Sequence, residues 1–402
     1  MSKGKQFAGR RILIVRDRAS AGGGIHAYYQ AISPHLRVRH EFVDVGRPHA
    51  YYTDDAFGRR WLMRSTILRL LWEWLSLINK LLRFPDLVHV NPGLDIKTRR
   101  SLRRDAVNLW LAKLFRRPVL VFWRGWDNAA CGTPEFPGGN NSWLACTYRR
   151  AHAHVVLARD FQQDLRRWNF SAPIYVETTV VPDDVLASGG ARELSRDTVN
   201  LLFLSRIEVA KGVFELLEAF CLLQARQPGR YTLTFAGDGP ALSELKHRAG
   251  DLGVEGVVFS GFVTGEEKLA CYRSADVFCF LSYTEGMPNA VLEAMAMGLP
   301  IVSSDAGGLK DILNLESGVF VRQLVGAPLR QRFSADEVAD AIGSVVADRD
   351  RYCRMSQRNR GFVEERLSAA KVAARLEVIY TDVLASRAVT PSGAPEALEI
   401  RT

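Results

Sequence analysis

Short apolar runs, separated by stretches with helical spacing, recur along almost the whole chain and fall into two series. The first reads RRILIVR (10–16), EFVDV (41–45), DLVHV (86–90), PVLVFW (118–123) and AHVVLA (153–158), with helical stretches at about 59–84, 97–115, 141–151 and 160–168. The second reads VNLLFLSR (199–206), YTLTFAG (231–237), GVVFSG (256–261), DVFCFLS (276–282), PIVSSD (300–305) and GVFV (318–321). Strands that are apolar throughout, rather than on alternate residues, must be buried on both faces, as in a parallel sheet sandwiched between helices. The expectation is an α/β chain with two Rossmann-like, doubly wound domains in tandem, facing a cleft at the carboxyl ends of their strands, where such sheets bind ligands.

The first domain is expected over residues 1–182 and the second over 199–369, joined by the polar, glycine-containing PDDVLASGGARELSRDT (182–198). Residues 351–386 read as helix, with the part from about 370 to 386 packing back on the first domain, and 387–402 reads as a disordered tail. A chain of 402 residues, 47% of them hydrophobic, has the material for two cores. Its net charge of +9 is uneven: residues 1–190 hold 29 Lys and Arg against 16 Asp and Glu, the remainder 24 against 28. A basic first half suits an anionic surface or substrate, and with no nucleic-acid motif present an anionic membrane surface is the expected partner. The six cysteines show neither metal-ligand spacing nor a C-x-x-C pair, which fits reduced thiols in a cytoplasmic protein. The N-terminus has too short an apolar run for a signal peptide, and no uncharged stretch nears the ~18 residues of a membrane span.

Chemistry concentrates in YTEGMPNAVLEAMAMGLPIVSSDAGG (283–308). A buried strand ends near Ser282, Glu285 and Gly286 follow, and a helix is expected to start around Pro288, where proline's missing N–H costs nothing. The backbone N–H groups of Met287, Asn289 and Ala290 would then form an anion site. Glu285 lies just before it and Glu293 one turn in, both placed to accept hydrogen bonds from hydroxyls, so the implied ligand is a polyol carrying phosphate. At the end of an earlier strand, Arg206 and Lys211 straddle a strand-to-helix turn and could clamp a diphosphate. Gly22, Gly23 and Gly24 form a loop whose backbone could approach a phosphate, although it matches neither the dinucleotide fingerprint nor a Walker A loop. Read singly, each of these residues could equally be surface charge or a turn.

Together, the glycine loop, R-x-x-x-x-K, AGDGP (236–240, with Gly237) and E-x-x-x-x-x-x-x-E resemble the retaining nucleotide-sugar glycosyltransferases of family 4, which have the GT-B fold. The resemblance is strong over about 199–321 and rests on strand order and the glycine loop before that. It implies that Arg206 and Lys211 stabilise the departing nucleoside diphosphate, that Glu293 holds the ribose, and that Glu285 holds the hydroxyls of the transferred sugar. It also implies that the helix at Pro288 and the Gly22–Gly24 loop close on the phosphates, and that Phe262 and Val263 frame the base. No metal or other cofactor is expected, since fixed cations and N–H dipoles stabilise the leaving charge; the lone D-x-D, DRD (348–350), reads as surface charge.

Many such enzymes carry His-Gly after the strand corresponding to PVLVFW, whereas this chain has WRGWDN. Arg124 cannot act as a neutral base. Asp127 is then the candidate to receive the acceptor's proton, unless the leaving phosphate takes it, and Arg124 and Asp127 could instead be an internal ion pair. The expected partners are a nucleotide-sugar donor and a glycan acceptor, lipid-linked if the helix near 59–84 lies in a bilayer interface. On a helical wheel that helix groups Ile67, Leu68, Leu70, Leu71, Trp74, Leu75, Leu77, Ile78, Leu81 and Leu82 on one face, opposite Arg69, Glu73, Ser76, Asn79, Lys80 and Arg83, with Trp72 among the polar set. A non-catalytic partner subunit and a sugar-nucleotide epimerase on the same fold remain alternatives.

Overall fold

The computed structural model describes residues 9–17, 24–46, 66–83, 85–94, 99–126, 132–194, 197–324 and 330–386. Gly22, Gly23, Asp127, the start of the 59–84 stretch and the 387–402 tail lie outside them. The chain divides into two compact units, one within residues 1–178 and 370–402, the other within 179–369.

The first unit is built on a six-stranded, all-parallel sheet. In chain order its strands are β1 (Arg11–Asp17), β2 (Arg39–Val45), β3 (Leu87–Val90), β5 (Val119–Phe122), β7 (Ala153–Val156) and β8 (Ile174–Val176). Two-residue strands β4 (Gly93–Leu94) and β6 (Gly125–Trp126) pair separately, beyond β3 and β5. The spatial order is β2-β1-β3-β5-β7-β8, so the direction of winding reverses between β1 and β3. The second unit repeats the plan with β9 (Val199–Leu204), β10 (Tyr231–Ala236), β11 (Val257–Gly261), β12 (Val277–Phe280), β13 (Ile301–Ser304) and β14 (Gly318–Val321), in the order β11-β10-β9-β12-β13-β14 and with its reversal between β9 and β12. Ligands of doubly wound sheets bind at the carboxyl ends of the strands flanking such a reversal, because the loops there diverge to opposite faces. Core residues such as Ile12–Ile14, Val119–Phe122, Phe278 and Ile301 are fully buried, as apolar strands covered on both faces require.

Three expectations need correction. Residues 182–198 are not a free linker: Asp183–Ser188 is helical, and Arg192 ties the segment to the second unit by donating to the carbonyls of Met297 (2.8 Å), Ala275 (2.7 Å) and Tyr272 (2.9 Å). The C-terminal helix is two helices, Arg349–Arg366 and Ala369–Ala385, separated where Val181 donates to the Leu367 carbonyl and bridges to Ser368. The second of them docks on the first unit. There the Glu377 carboxylate accepts from the Val38 N–H (3.0 Å), Arg375 forks onto Glu177 (2.8 and 3.0 Å), and the Tyr380 hydroxyl lies 2.8 Å from His89 Nδ1.

The third correction concerns the helix Thr66–Arg83. Its buried side carries Leu77 and Leu81 but also Arg69 and Glu73, which form an i,i+4 pair 6% and 2% exposed. Glu73 is drawn inward because it accepts from the Gly46 N–H (2.9 Å) just past β2. Turning that charged edge toward the sheet leaves Leu71, Trp72, Leu75 and Leu82 exposed.

Candidate active site

In the second unit the reversal point assembles the residues singled out above. Arg206 follows β9 by two residues, and Glu285 lies on the loop leaving its neighbour β12. After Arg206 the chain makes a 3₁₀ turn, Val209–Lys211, and enters helix Val213–Arg226 through Gly212 at φ +66°. A side chain at 212 would collide with the Leu281 carbonyl (an ideal Cβ would sit 2.3 Å from its oxygen), so glycine is what lets the Lys211 turn lie against the β12 loop. Tyr283 N–H then donates to the Ala210 carbonyl (2.8 Å). As a result the Lys211 ammonium reaches Glu285 Oε1 in a mutually shielded ion pair, 5.6 Å from the Phe280 ring centroid. Gly237, in AGDGP, likewise sits against the Ser205 carbonyl, where any Cβ would overlap, and it supports the β9 end.

The helix expected at Pro288 spans Asn289–Ala296, with Pro288 as its N-cap rather than its first residue. Met287 and Pro288 are buried, while Asn289 and Ala290 are partly exposed at the first turn, where N–H groups have no intrahelical acceptor. The loop before it is held by Gly308 N–H donating to the Gly286 carbonyl (2.8 Å) and by Ser282 Oγ donating to the Thr284 carbonyl (2.9 Å). Glu293, one turn in, is 7% exposed and fixed by two groups from helix Gly265–Ser274: Lys268 Nζ at 2.9 Å and the Tyr272 hydroxyl at 3.0 Å. Burial, then the Glu293 charge, holds the Tyr272 hydroxyl well above its ordinary pKa, so it stays a donor to the carboxylate.

Arg206 is open to solvent, 74% of its side chain exposed, and pairs with Glu208 (2.9 Å). It therefore lies at the same strand end as Lys211 without being locked in place. Phe262 is 72% exposed and Val263 half-buried just beyond β11. Sequence reasoning missed Lys268 and Tyr272; their i,i+4 spacing in GEEKLACY was visible, but nothing in it pointed to Glu293.

In the first unit the corresponding strand ends belong to β1, β3 and β5. Gly24 opens the helix Gly24–Ile32 after β1. The ion pair considered above involves Asp127, which lies outside the described residues; Arg124, two residues beyond β5, is held by other groups. Its guanidinium lies 3.7 Å from the Tyr28 ring centroid and 3.6 Å from that of Phe122, and its Nε donates to Asn91 Oδ1 (3.1 Å). Tyr29 donates to the same Asn91 oxygen (2.7 Å). Burial raises the Tyr28 and Tyr29 hydroxyls despite the opposing pull of Arg124, and burial with Arg124's charge keeps His89 neutral.

With that geometry in hand, comparison with known proteins is specific for the second unit. Residues 191–362 match the family described as Glycosyl transferases group 1. A GDP-mannose-dependent alpha-(1-6)-phosphatidylinositol monomannoside mannosyltransferase of Mycobacterium tuberculosis is 32% identical over 182 residues, 43% of this chain and 45% of that protein. Glycogen synthase of the same organism is 32% identical over 221 residues, 52% of this chain and 51% of that enzyme. The chain thus spans about half the length of the curated relatives it matches. Among solved structures, Anabaena HepE in complex with UDP superposes with a TM-score of 0.65 at 15% identity, over 92% of this chain and 100% of that one. Sucrose-phosphate synthase from Thermosynechococcus elongatus superposes with 0.65 at 18%, over 94% and 100%. Both units together have the GT-B fold.

Proposed function

We propose that this protein is a retaining, metal-independent glycosyltransferase that moves a sugar from a nucleotide-sugar to a glycan acceptor, lipid-linked, in surface polysaccharide or glycolipid assembly. The observation that carries the reading is the Lys211–Glu285 ion pair at the β9/β12 reversal, with the exposed Arg206 two residues past β9 and the first turn of helix Asn289–Ala296 four residues past Glu285. Transfer breaks the anomeric C–O bond to phosphate; the nucleoside diphosphate leaves with the electron pair, and the acceptor oxygen bonds to the anomeric carbon on the same face. Lys211, Arg206 and the helix N-terminus stabilise the departing charge, a type of interaction worth about 2.7–4 kcal/mol per donor. Glu285 accepts from sugar hydroxyls, Glu293 from the ribose, and Phe262 and Val263 frame the base. The acceptor's proton passes to the departing phosphate, with Asp127 the alternative base.

The names of similar proteins support such a donor: the mycobacterial relative is GDP-mannose-dependent, and HepE was crystallised with UDP and with UDP-glucose. No described helix is long and apolar enough to cross a membrane. The exposed leucines and tryptophans of the first unit, in a basic half-chain, fit peripheral binding to an anionic bilayer from its cytoplasmic side. A panel of UDP-, GDP- and ADP-sugars tests the reading: one should raise the melting temperature and be transferred with its anomeric configuration retained, as NMR of the product reports. Stabilisation without transfer or hydrolysis would instead mark a sugar-nucleotide-binding partner subunit.

A further inference from the structure

The first unit holds a cation that no described carboxylate neutralises. Arg124 sits between the faces of Tyr28 and Phe122 and donates to Asn91, but no carboxylate among the described residues pairs with it. Glu177, whose charge also reaches Tyr28, is claimed by both arms of Arg375. Cation–π contacts offset only part of the cost of desolvating a guanidinium. The surroundings of Arg124 are stiff. Its N–H donates to the Pro92 carbonyl (2.9 Å), and the next two residues, Gly125 and Trp126, pair with Gly93 and Leu94. Among the described residues Gly125 is exposed, and a side chain at Gly93 would meet nothing within 4 Å. Arg124 Nη2 is buried and has no hydrogen-bond partner among the described residues, and a preorganised guanidinium with a free nitrogen suits a carboxylate or phosphate.

We propose that Arg124 reads an anionic group, a carboxylate or a phosphate, on the sugar that docks against the carboxyl edge of β3 and β5. That the ligand is a sugar rests on the glycosyl-transfer reading; that it is anionic rests on Arg124. The site makes Arg124 a specificity-determining residue, and it gives the chain a preference for charged over neutral sugars.

Calorimetric titration of the full-length protein with methyl glucuronoside, glucose 6-phosphate and methyl glucoside tests this without any nucleotide-sugar. At least one anionic sugar should bind roughly tenfold tighter than methyl glucoside, the margin expected when a charge-assisted hydrogen-bond pair is satisfied. Which of the two is preferred tells carboxylate from phosphate. In Arg124→Gln the ratio of anionic-sugar to methyl glucoside affinity should collapse toward one; Arg124→Lys, which keeps the charge but not the fork, should retain part of it. If neither variant folds, the wild-type preference should still shrink from low to high salt while the neutral sugar's affinity stays constant. Equal binding of all three sugars, binding of none, or a preference that survives Arg124→Gln overturns the proposal. The donor reading is judged separately, because nucleotide-sugar binding by the second unit does not enter this measurement.

Discussion

Lys211 and Glu285 are 74 residues apart in sequence, yet they form one ion pair with only 13% of each side chain exposed, because β9 and β12 are neighbours at the point where the second sheet reverses direction. Glu285 is thereby oriented before any substrate arrives, and Lys211 is held near the strand end where a diphosphate would lie. Arg206, at the same strand end, has 74% of its side chain exposed. The two cations of one motif differ in how firmly the protein holds them.

That difference makes the clamp testable. Arg206→Ala should lower kcat/KM about 10²-fold or more with an unchanged melting temperature, since an exposed side chain carries little stability. Lys211→Ala should lose at least as much activity and also about 2 kcal/mol of stability, because Glu285 is left shielded and uncompensated. Adding Glu285→Gln to Lys211→Ala should recover the stability without the activity, a coupling that a double-mutant cycle on melting and turnover would read. Wild-type kcat/KM in both single variants would remove the diphosphate role.

The two carboxylates should divide the donor between them. Glu293 is presented by Lys268 and Tyr272, within a turn of the helix start, and is assigned to the ribose. Glu293→Ala is expected to weaken binding of the bare nucleoside diphosphate roughly tenfold, the loss of a charge-assisted hydrogen bond. Glu285→Ala should leave that affinity intact and lower turnover of the complete donor. Calorimetry with the diphosphate beside kinetics with the donor separates the two; an equal loss of nucleotide affinity in both would contradict the assignment.

The strand ends of the second unit were legible in sequence because its central parallel strands are largely buried and leave apolar runs, and the Arg206, Lys211, Glu285 and Glu293 spacings follow where those runs stop. Ile174–Val176 and the two-residue pairs at Gly93 and Gly125 are too short to leave such a signal. The partners of Glu293 were illegible for another reason: Lys268 and Tyr272 come from a different helix, and no local pattern encodes contact between helices. Helix Thr66–Arg83 misled because amphipathicity assumes that charge faces water. Here a carboxylate is needed inside to take up the Gly46 N–H, and the neutralising Arg69 comes with it.

Activity should persist in excess EDTA. On the proposed reading the positive charge that a diphosphate needs comes from Lys211, Arg206 and the N–H groups at Asn289 and Ala290, with no divalent ion bridging it. A steady-state assay with and without chelator decides the point; complete loss restored by Mg²⁺ would show a metal-bridged diphosphate instead.

Membrane docking should depend on only part of the apolar face that the helical wheel groups, joined by Trp72, which the wheel sets among the polar residues. On helix Thr66–Arg83 the exposed apolar set is Leu71, Trp72, Leu75 and Leu82, and Arg83 is exposed beside it. The helix Arg100–Leu114, packed against it, exposes Trp110 and Leu114 along the same stripe as Arg103, at i, i+7 and i+11. Burying a leucine or larger side chain in the acyl boundary yields about 1.5–3 kcal/mol, and each cation near anionic lipid adds about 1 kcal/mol. Trp72→Ser combined with Leu75→Ser should therefore release the protein from anionic liposomes in flotation. These side chains are exposed, so the fold should keep its melting temperature to within about 0.5 kcal/mol of stability. Wild-type recovery should need anionic lipid and weaken with salt. Equal recovery on neutral and anionic vesicles, or none on either, would leave the stripe without a membrane role and make the acceptor soluble.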